Sequence, residues 1–161
     1  MIVVLIMGVV YKLAIVNLSR VDTSSKKINF LNLKNYLVSQ KFTTSATLLC
    51  LDDCSTCKLL LDGNETAELK GFMSEDVQTY HYDALQGAIQ KEMRVYFNKD
   101  DVEENVCFEY KVDSDGVGDQ ILVEDGESYY DFIDYFTDVK RYDSMETLLE
   151  HREDEASKVR G

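Results

Sequence analysis

The sequence predicts an α+β protein in which a mixed β-sheet wraps around one long helix. A stretch in the middle of the chain has apolar residues at three- and four-residue spacing, which is typical of a helix with one buried face. Stretches with alternating apolar residues before and after it predict paired strands. At 161 residues, of which 45% are hydrophobic, the chain has the length and composition of one domain with an extension.

The amino-terminal part is expected to form that extension. Met1–Leu18 is almost entirely apolar, which suits a buried strand or a poorly integrated leader better than a membrane anchor, because Lys12 interrupts it. The positive region and cleavage site of a secretory signal are not clear in it. Lys26–Gln40 has apolar residues partly at helical spacing and predicts a helix. Thr43–Leu51 then predicts a strand.

A hairpin and the long helix are expected next. Lys58–Leu61 and Ala67–Met73 are two predicted strands, joined by a turn signal at Asp62-Gly63-Asn64. Ser74 can cap the helix that follows, with acids favourably placed in its first turn. The apolar positions of the predicted helix are Val77, Tyr80, Ala84, Leu85, Ala88, Ile89, Met93 and Tyr96.

The remaining predicted elements alternate between strand and helix. Val106–Val112 has period-two alternation, Asp113–Asp119 is a loop, and Gln120–Val123 can return as a strand. Ser128 can cap a short helix, and Met145–Leu149 is a predicted last strand. The order hairpin, helix, hairpin, short helix and strand is that of a ubiquitin-like β-grasp roll.

The element order and the charge both divide the chain. An extension is expected over 1–52, a β-grasp domain over 53–152 and a charged tail over 153–161. Residues 1–51 carry six basic residues and one acid, whereas 100–161 carry twenty acids and six basic residues. A chain with a net charge of −13 is unsuited to general nucleic-acid binding, which needs clustered lysine and arginine. The acidic segment is either a solvated face or a docking surface for a basic partner.

The acidic segment also contains a motif. An aromatic strand leads into an aspartate-rich loop, an alternating apolar strand and further acids, all within Phe108–Glu127. This pattern resembles the acidic motif of Phox/Bem-one (PB-one) domains, and the similarity covers about residues 55–152. The resemblance implies an acidic face made of Asp113, Asp115, Asp119, Asp125 and Glu127, and a basic face made of Lys58 and Lys70.

The resemblance also implies a function. PB-one-like domains associate front to back, so this chain would pair with other such domains or with itself, as a non-enzymatic scaffold or adaptor in signalling or selective autophagy. Single exposed ion pairs contribute about 0–1 kcal/mol, so such an interface needs several of them and should weaken as salt rises. The expected location is the cytoplasm, without a cofactor or a metal ion and without nucleic acid as a partner.

The same acidic loop has a second interpretation, as a calcium site. Asp113, Asp115, Gly118 and Glu124 match positions one, three, six and twelve of an EF-hand loop. Val117 stands where an oxygen ligand belongs, and the expected strands take the place of the flanking helices. Calcium binding is therefore the less favoured interpretation.

The cysteines allow a further alternative. Cys50, Cys54 and Cys57 have the spacing of an iron–sulfur cluster motif in radical-SAM enzymes, and Cys54-Ser-Thr-Cys57 is similar to a thioredoxin motif. The chain contains no proline for the cis-proline that the thioredoxin fold needs, and no fourth zinc ligand at helpful spacing. Reduced thiols of a cytosolic protein are expected. The alternatives in function are a small cysteine-based metal or redox protein and an acidic decoy that mimics nucleic-acid phosphates.

Two further features depend on context. His81 and His151 have no serine or cysteine placed beside them by a motif, so no enzymatic activity is predicted. Asn17-Leu-Ser and Asn64-Glu-Thr are N-glycosylation sequons, which have a meaning only if the protein enters the secretory route.

Overall fold

Two antiparallel β-sheets and two helices make up the part of the protein that the computed structural model describes, residues 28–92, 94–98, 100–135 and 137–160. The interpretation of Met1–Leu18 lies outside these residues. The elements are α1 (Phe30–Val38), β1 (Ser45–Leu51), β2 (Thr56–Leu61), β3 (Asn64–Lys70), β4 (Gln78–Asp83), β5 (Gly87–Gln90), β6 (Arg94–Phe97), β7 (Glu103–Asp113), β8 (Leu122–Asp125), β9 (Ser128–Asp131), β10 (Lys140–Tyr142) and α2 (Met145–Arg160).

The chain passes between the two sheets three times. The first sheet has the strand order β3-β2-β1-β7-β6, and the second has the order β10-β9-β8-β4-β5. All the pairings between these strands are antiparallel. The edge strands of the first sheet are therefore β3 and β6, and β4 of the second sheet contacts β7 of the first.

The core lies between the sheets and includes α1. In the first sheet, Leu48 is opposite Leu59 on one side and Tyr110 on the other, and all three are buried. Phe30 of α1 reaches both sheets, because its ring centroid lies 5.5 Å from that of Phe108 and 4.8 Å from that of Tyr130. Burial of each such large apolar side chain stabilises the fold by about 1.5–3 kcal/mol.

Helix α1 confirms the helix that the sequence predicts near residues 26–40. Asn29 is its N-cap, and Asn29 and Asn32 each accept a hydrogen bond from the other's backbone amide. The Asn32 amide donates to Asn29 Oδ1 at 3.0 Å, and the Asn29 amide donates to Asn32 Oδ1 at 2.9 Å. Phe30, Leu33 and Leu37 are the buried residues, at the three- and four-residue spacing of one helix face. The same core thus contains α1, β1 and the later strands.

The β-grasp roll is wrong, because the long helix does not form. The stretch from Ser74 to Tyr96 contains β4, β5 and most of β6 instead. The carboxylate of Asp83 closes the turn between β4 and β5 by accepting from the amides of Leu85 and Gln86 at 2.8 and 2.9 Å. Gly87 follows with a φ of +78°, a conformation incompatible with a continuous right-handed helix.

Two smaller expectations near the carboxyl end are also wrong. The helix expected after Ser128 is strand β9, which follows a turn at Gly126 with a φ of +60°. The strand expected at Met145–Leu149 is the start of α2, where the Ser144 hydroxyl accepts from the Thr147 amide at 3.2 Å. The described residues contain no helix that is long and apolar enough to span a membrane.

Candidate interaction surface

The aspartates of the loop after β7 are used within the loop itself. Asp113 Oδ1 accepts from the amides of Asp115 and Val117 at 3.0 and 2.9 Å. Asp119 Oδ2 accepts from the Lys111 amide at 3.0 Å, while the Asp119 amide donates back to the Lys111 carbonyl at 2.9 Å. Two of the three carboxylates thus shape the loop, and Asp115 is the exposed residue of the three.

The other two acids of the expected acidic face lie elsewhere. Asp119 precedes β8 and Asp125 ends it, so the two lie at opposite ends of one strand. Asp125 Oδ1 accepts from both the amide and the hydroxyl of Ser74, at 2.9 and 2.5 Å, and so ties the β3–β4 connection to the second sheet. Glu127 is exposed at the β8–β9 turn. The structure therefore does not bring the five predicted acids together into one surface.

The two lysines of the expected basic face lie on the first sheet, next to acids. The ammonium of Lys58 is 3.6 Å from Glu104 and 4.0 Å from Glu65, and its side chain is only 20% exposed. It also lies 5.9 Å from the centroid of the Tyr96 ring. Lys70 is more exposed and lies 2.9 Å from Glu68. Each ammonium group thus lies beside an acid of the same sheet, two acids for Lys58 and one for Lys70.

The four cysteines form two disulfides, so the expectation of reduced thiols is wrong. Cys50 and Cys57 face each other in the register of β1 and β2 and are bonded to each other. Cys54, in the turn between these strands, is bonded to Cys107 of β7. Cys50, Cys54 and Cys57 are all at most 1% exposed. The sequence does not reveal these pairings, because four cysteines allow three connectivities and the spacing alone does not choose among them.

The calcium interpretation does not gain support from the geometry. The carboxylates of Asp113 and Asp119 accept from backbone amides, as described above. Across the described residues, no three histidine, cysteine, aspartate or glutamate side chains gather in a way that could hold a metal ion.

A surface that sequence reasoning missed lies at the β6 edge of the first sheet. Val95 and Phe97 of β6, and Val102 in the turn after it, are 46%, 60% and 53% exposed. The Asn98 amide donates to the Val102 carbonyl, so amides alternate along β6 and those of Val95 and Phe97 face away from β7. These two residues therefore present both apolar side chains and edge amides to solvent.

Exposed acidic residues lie in the two turns nearest to these apolar residues, while Arg94, which precedes Val95 in β6, is paired with Glu109. The amide of Asp52 donates to the Asn105 carbonyl at 2.7 Å, which brings the β1–β2 turn next to the β6–β7 hairpin. Exposed acids of the hairpin and of this turn thus lie near the apolar group. We call the following residues the edge surface: Val95, Phe97, Val102, Asp52, Asp53, Asp100, Asp101 and Glu103.

The sequence contains two signals for this surface. Val95 and Phe97 stand at alternate positions between Arg94, Tyr96 and Asn98, which is the pattern of a short strand. The acidic run Asp100–Glu104 follows. The strand pattern at Val95 and Phe97 is hidden by the predicted helix, because the neighbouring Tyr96 fits the apolar stripe of that helix. Comparison of the chain with protein-family models, with curated proteins and with solved structures found no match in any of the three.

Proposed function

We propose that this protein is a non-enzymatic binding protein whose edge surface takes an extended, basic segment of a partner protein. The segment would add to β6 as a further strand of the first sheet. The observation that carries the proposal is an edge strand with exposed apolar side chains, Val95 and Phe97, set among exposed acids. Soluble proteins usually protect edge strands with lysine, proline or a covering element.

The apolar residues supply affinity. Burial of apolar surface is the main favourable contribution in most protein association, and aromatic residues are frequent among those that contribute most to binding. Among the three apolar residues of the edge surface, Phe97, at 60% exposure, has the largest area to bury. The outward amides of β6 would add backbone hydrogen bonds, which is the mode of strand addition.

The acids supply the choice of partner. Asp52, Asp53, Asp100, Asp101 and Glu103 would attract a lysine- or arginine-rich segment and repel an acidic one. A second copy of this chain is a poorer occupant, because its net charge is −13 and its Lys58 and Lys70 already lie beside acids. Self-pairing is therefore an outcome for the experiment to exclude.

The proposal includes an oxidising compartment in place of the cytoplasm. One disulfide links β1 to β2 and the other links the turn between them to β7. Such bonds persist in secreted proteins and in the lumen of the secretory route. The buried position of three of the four sulfur-bearing residues supports a structural role for the bonds.

The experiment measures binding of a named probe, a peptide in which lysine alternates with valine. We expect saturable binding that weakens as salt rises, and no binding of the glutamate–valine counterpart. The same peptide N-methylated at alternate amides, tested in both registers, should fail in one register only. Equal binding of the acidic and basic peptides, or of all N-methylated forms, would contradict strand addition at this edge.

Variants of the domain locate the binding. Phe97→Ser should weaken binding at least about tenfold, or about 1.4 kcal/mol. Leu85→Ser is the matched control, because Leu85 is 95% exposed in the β4–β5 turn outside the edge surface. Asp100→Asn with Asp101→Asn should weaken binding at low salt, whereas Glu150→Gln with Glu153→Gln, on exposed positions of α2, should not. An equal effect of each control would place binding elsewhere.

A further inference from the structure

The opposite edge strand of the first sheet, β3, contains an N-glycosylation sequon. Asn64-Glu65-Thr66 begins β3, directly after the tight turn at Asp62-Gly63. It has the Asn-x-Thr sequence that oligosaccharide transfer in the secretory route requires. The sequence alone leaves this signal without meaning, because it does not show the compartment.

The geometry gives the signal a physical context. Asn64, Glu65 and Thr66 are all exposed, as is most of β3. A Cβ atom placed on Gly63 would have no atom within 4 Å, so the space beside the turn is open. The Asn64 side-chain amide donates to the Asp62 carbonyl at 3.3 Å, and this hydrogen bond is itself exposed to solvent.

The two disulfides supply the second, independent observation. They indicate a protein that meets an oxidising compartment, and in eukaryotic cells oligosaccharide transfer occurs in that same compartment. We propose that Asn64 is an N-glycosylation site. This inference rests on the compartment part of the proposed function and is independent of the edge surface.

The reaction uses a lipid-pyrophosphate-linked oligosaccharide as the second substrate. The Asn64 Nδ2 atom forms a bond to C1 of the first sugar as the bond from C1 to the lipid pyrophosphate oxygen breaks. Nδ2 loses one proton to solvent, and the lipid pyrophosphate leaves with the bonding electron pair.

The position explains what the glycan does. Edge strands present unpaired amides and carbonyls that promote edge-to-edge association, and natural proteins often prevent it by covering the edge. A glycan at Asn64 covers the β3 edge and leaves β6 as the accessible edge of the first sheet.

The test expresses the full chain, with its own amino terminus, in eukaryotic cells and measures the mass of the peptide that contains Asn64. We expect a glycan that an amide-cleaving glycosidase removes, with conversion of Asn64 to aspartate. Asn64→Gln and Thr66→Ala should each abolish the modification, while Thr66→Ser should retain it. Asn17→Gln should leave it unchanged, because that sequon is separate.

Alkylation of the same samples distinguishes the two possible failures. Disulfide-bonded protein that carries no glycan at Asn64 would overturn the glycosylation inference alone. Protein with four alkylated, reduced cysteines and no glycan would overturn the oxidising compartment as well. Neither result would depend on peptide binding at β6.

Discussion

At position 118, the absence of a side chain lets Tyr110 reach its place in the core. A Cβ atom on Gly118 would lie 2.0 Å from the Tyr110 hydroxyl oxygen and 2.7 Å from Cζ. The ring of Tyr110 is fully buried, and burial raises the pKa of its hydroxyl well above the usual value. Among the described residues, its hydroxyl oxygen has no hydrogen-bond partner.

Gly118→Ala should therefore lower the free energy of unfolding by about 1–3 kcal/mol, because the Tyr110 ring must shift in a packed core. Urea unfolding followed by circular dichroism measures this change. Tyr110→Phe removes an unpartnered buried hydroxyl and should be neutral or stabilising. The double variant should lose less than the sum of the two single changes, because Tyr110→Phe removes the atom that the new methyl group meets first. A purely additive result would mean that the clash is not with the hydroxyl.

Asp62 shows how one exposed carboxylate organises a strand start. It accepts from the amides of Thr43, Thr44 and Ser45 and from the Thr44 hydroxyl, at 2.6–3.2 Å. These hydrogen bonds, those from Thr44 first, hold the pKa of Asp62 well below its usual value. The carboxylate of Asp62 thereby joins the β2–β3 turn to the start of β1.

A folded-state pKa that is depressed makes stability depend on acid. The stabilisation from Asp62 is complete above the unfolded-state pKa of about 3.9 and is lost as pH falls towards the folded-state value. Asp62→Asn keeps a residue that tolerates the φ of +52° at this position. It should lower the melting temperature at pH 7, and the difference should shrink as pH falls below about 4. A difference that stays constant over that range would contradict this role.

At the scale of elements, a buried ion pair helps to hold α2 to the second sheet, beside the buried side chain of Leu148. Arg152 is 7% exposed and Asp131 of β9 is 3% exposed, and the guanidinium Nε donates to the Asp131 carboxylate at 2.5 Å. A second nitrogen of Arg152 lies 2.8 Å from Asp134, and this hydrogen bond lowers the pKa of the Asp134 carboxyl. The helix is otherwise strongly charged, with many exposed residues.

Arg152→Met should lower the free energy of unfolding by about 3–5 kcal/mol, because it leaves the buried Asp131 charge without its partner. Adding Asp131→Asn should recover part of the loss. The i,i+4 pair of Asp154 and Lys158 on the exposed side of α2 is the control, and Lys158→Met should cost little. Equal losses for Arg152→Met and Lys158→Met in urea unfolding would contradict an anchoring role for Arg152.

The elements that the sequence predicts correctly have local causes, and the missed long helix is excluded by tertiary pairing, whereas β9 and the start of α2 have local signals at Gly126 and Ser144. The Asp62-Gly63-Asn64 turn, the alternating β7 and the α1 face are each readable from neighbouring residues. The stretch from Val77 to Tyr96 fits a helical stripe equally well, and only its pairing with β7 and β8 decides for strands. The turn signal at Gly87 and the tyrosines of β4 are the local clues against a helix there.

The candidate site shows the same division. The composition reveals that the carboxy-terminal part is acidic, and the motif draws attention to Asp113, Asp115 and Asp119. It cannot reveal that backbone amides of neighbouring residues occupy the carboxylates of Asp113 and Asp119, since that depends on the loop conformation. The exposure of Phe97 likewise follows from β6 being the last strand of its sheet.

At the scale of the whole molecule, the disulfides close loops of very different length. Cys54 and Cys107 are separated by 53 positions, whereas Cys50 and Cys57 are separated by seven. Loop-closure entropy assigns about 4 kcal/mol to the longer loop and about 2.5 kcal/mol to the shorter one. The bond between the β1–β2 turn and β7 is thus expected to contribute more to stability.

Replacing Cys54 and Cys107 with alanine should therefore destabilise the protein more than replacing Cys50 and Cys57. Guanidinium unfolding of both double variants, compared with the unmodified protein, measures the two losses. The reverse order would show that packing around the short loop, rather than chain entropy, determines the contribution.

Amide hydrogen exchange at β6, with and without the alternating lysine–valine peptide, tests strand addition most directly. With strand addition, the Val95 and Phe97 amides exchange rapidly in the free protein and become protected when the peptide is bound. Protection that appears along β3 or in the Asp113–Asp119 loop, with no change at Val95 and Phe97, would contradict it.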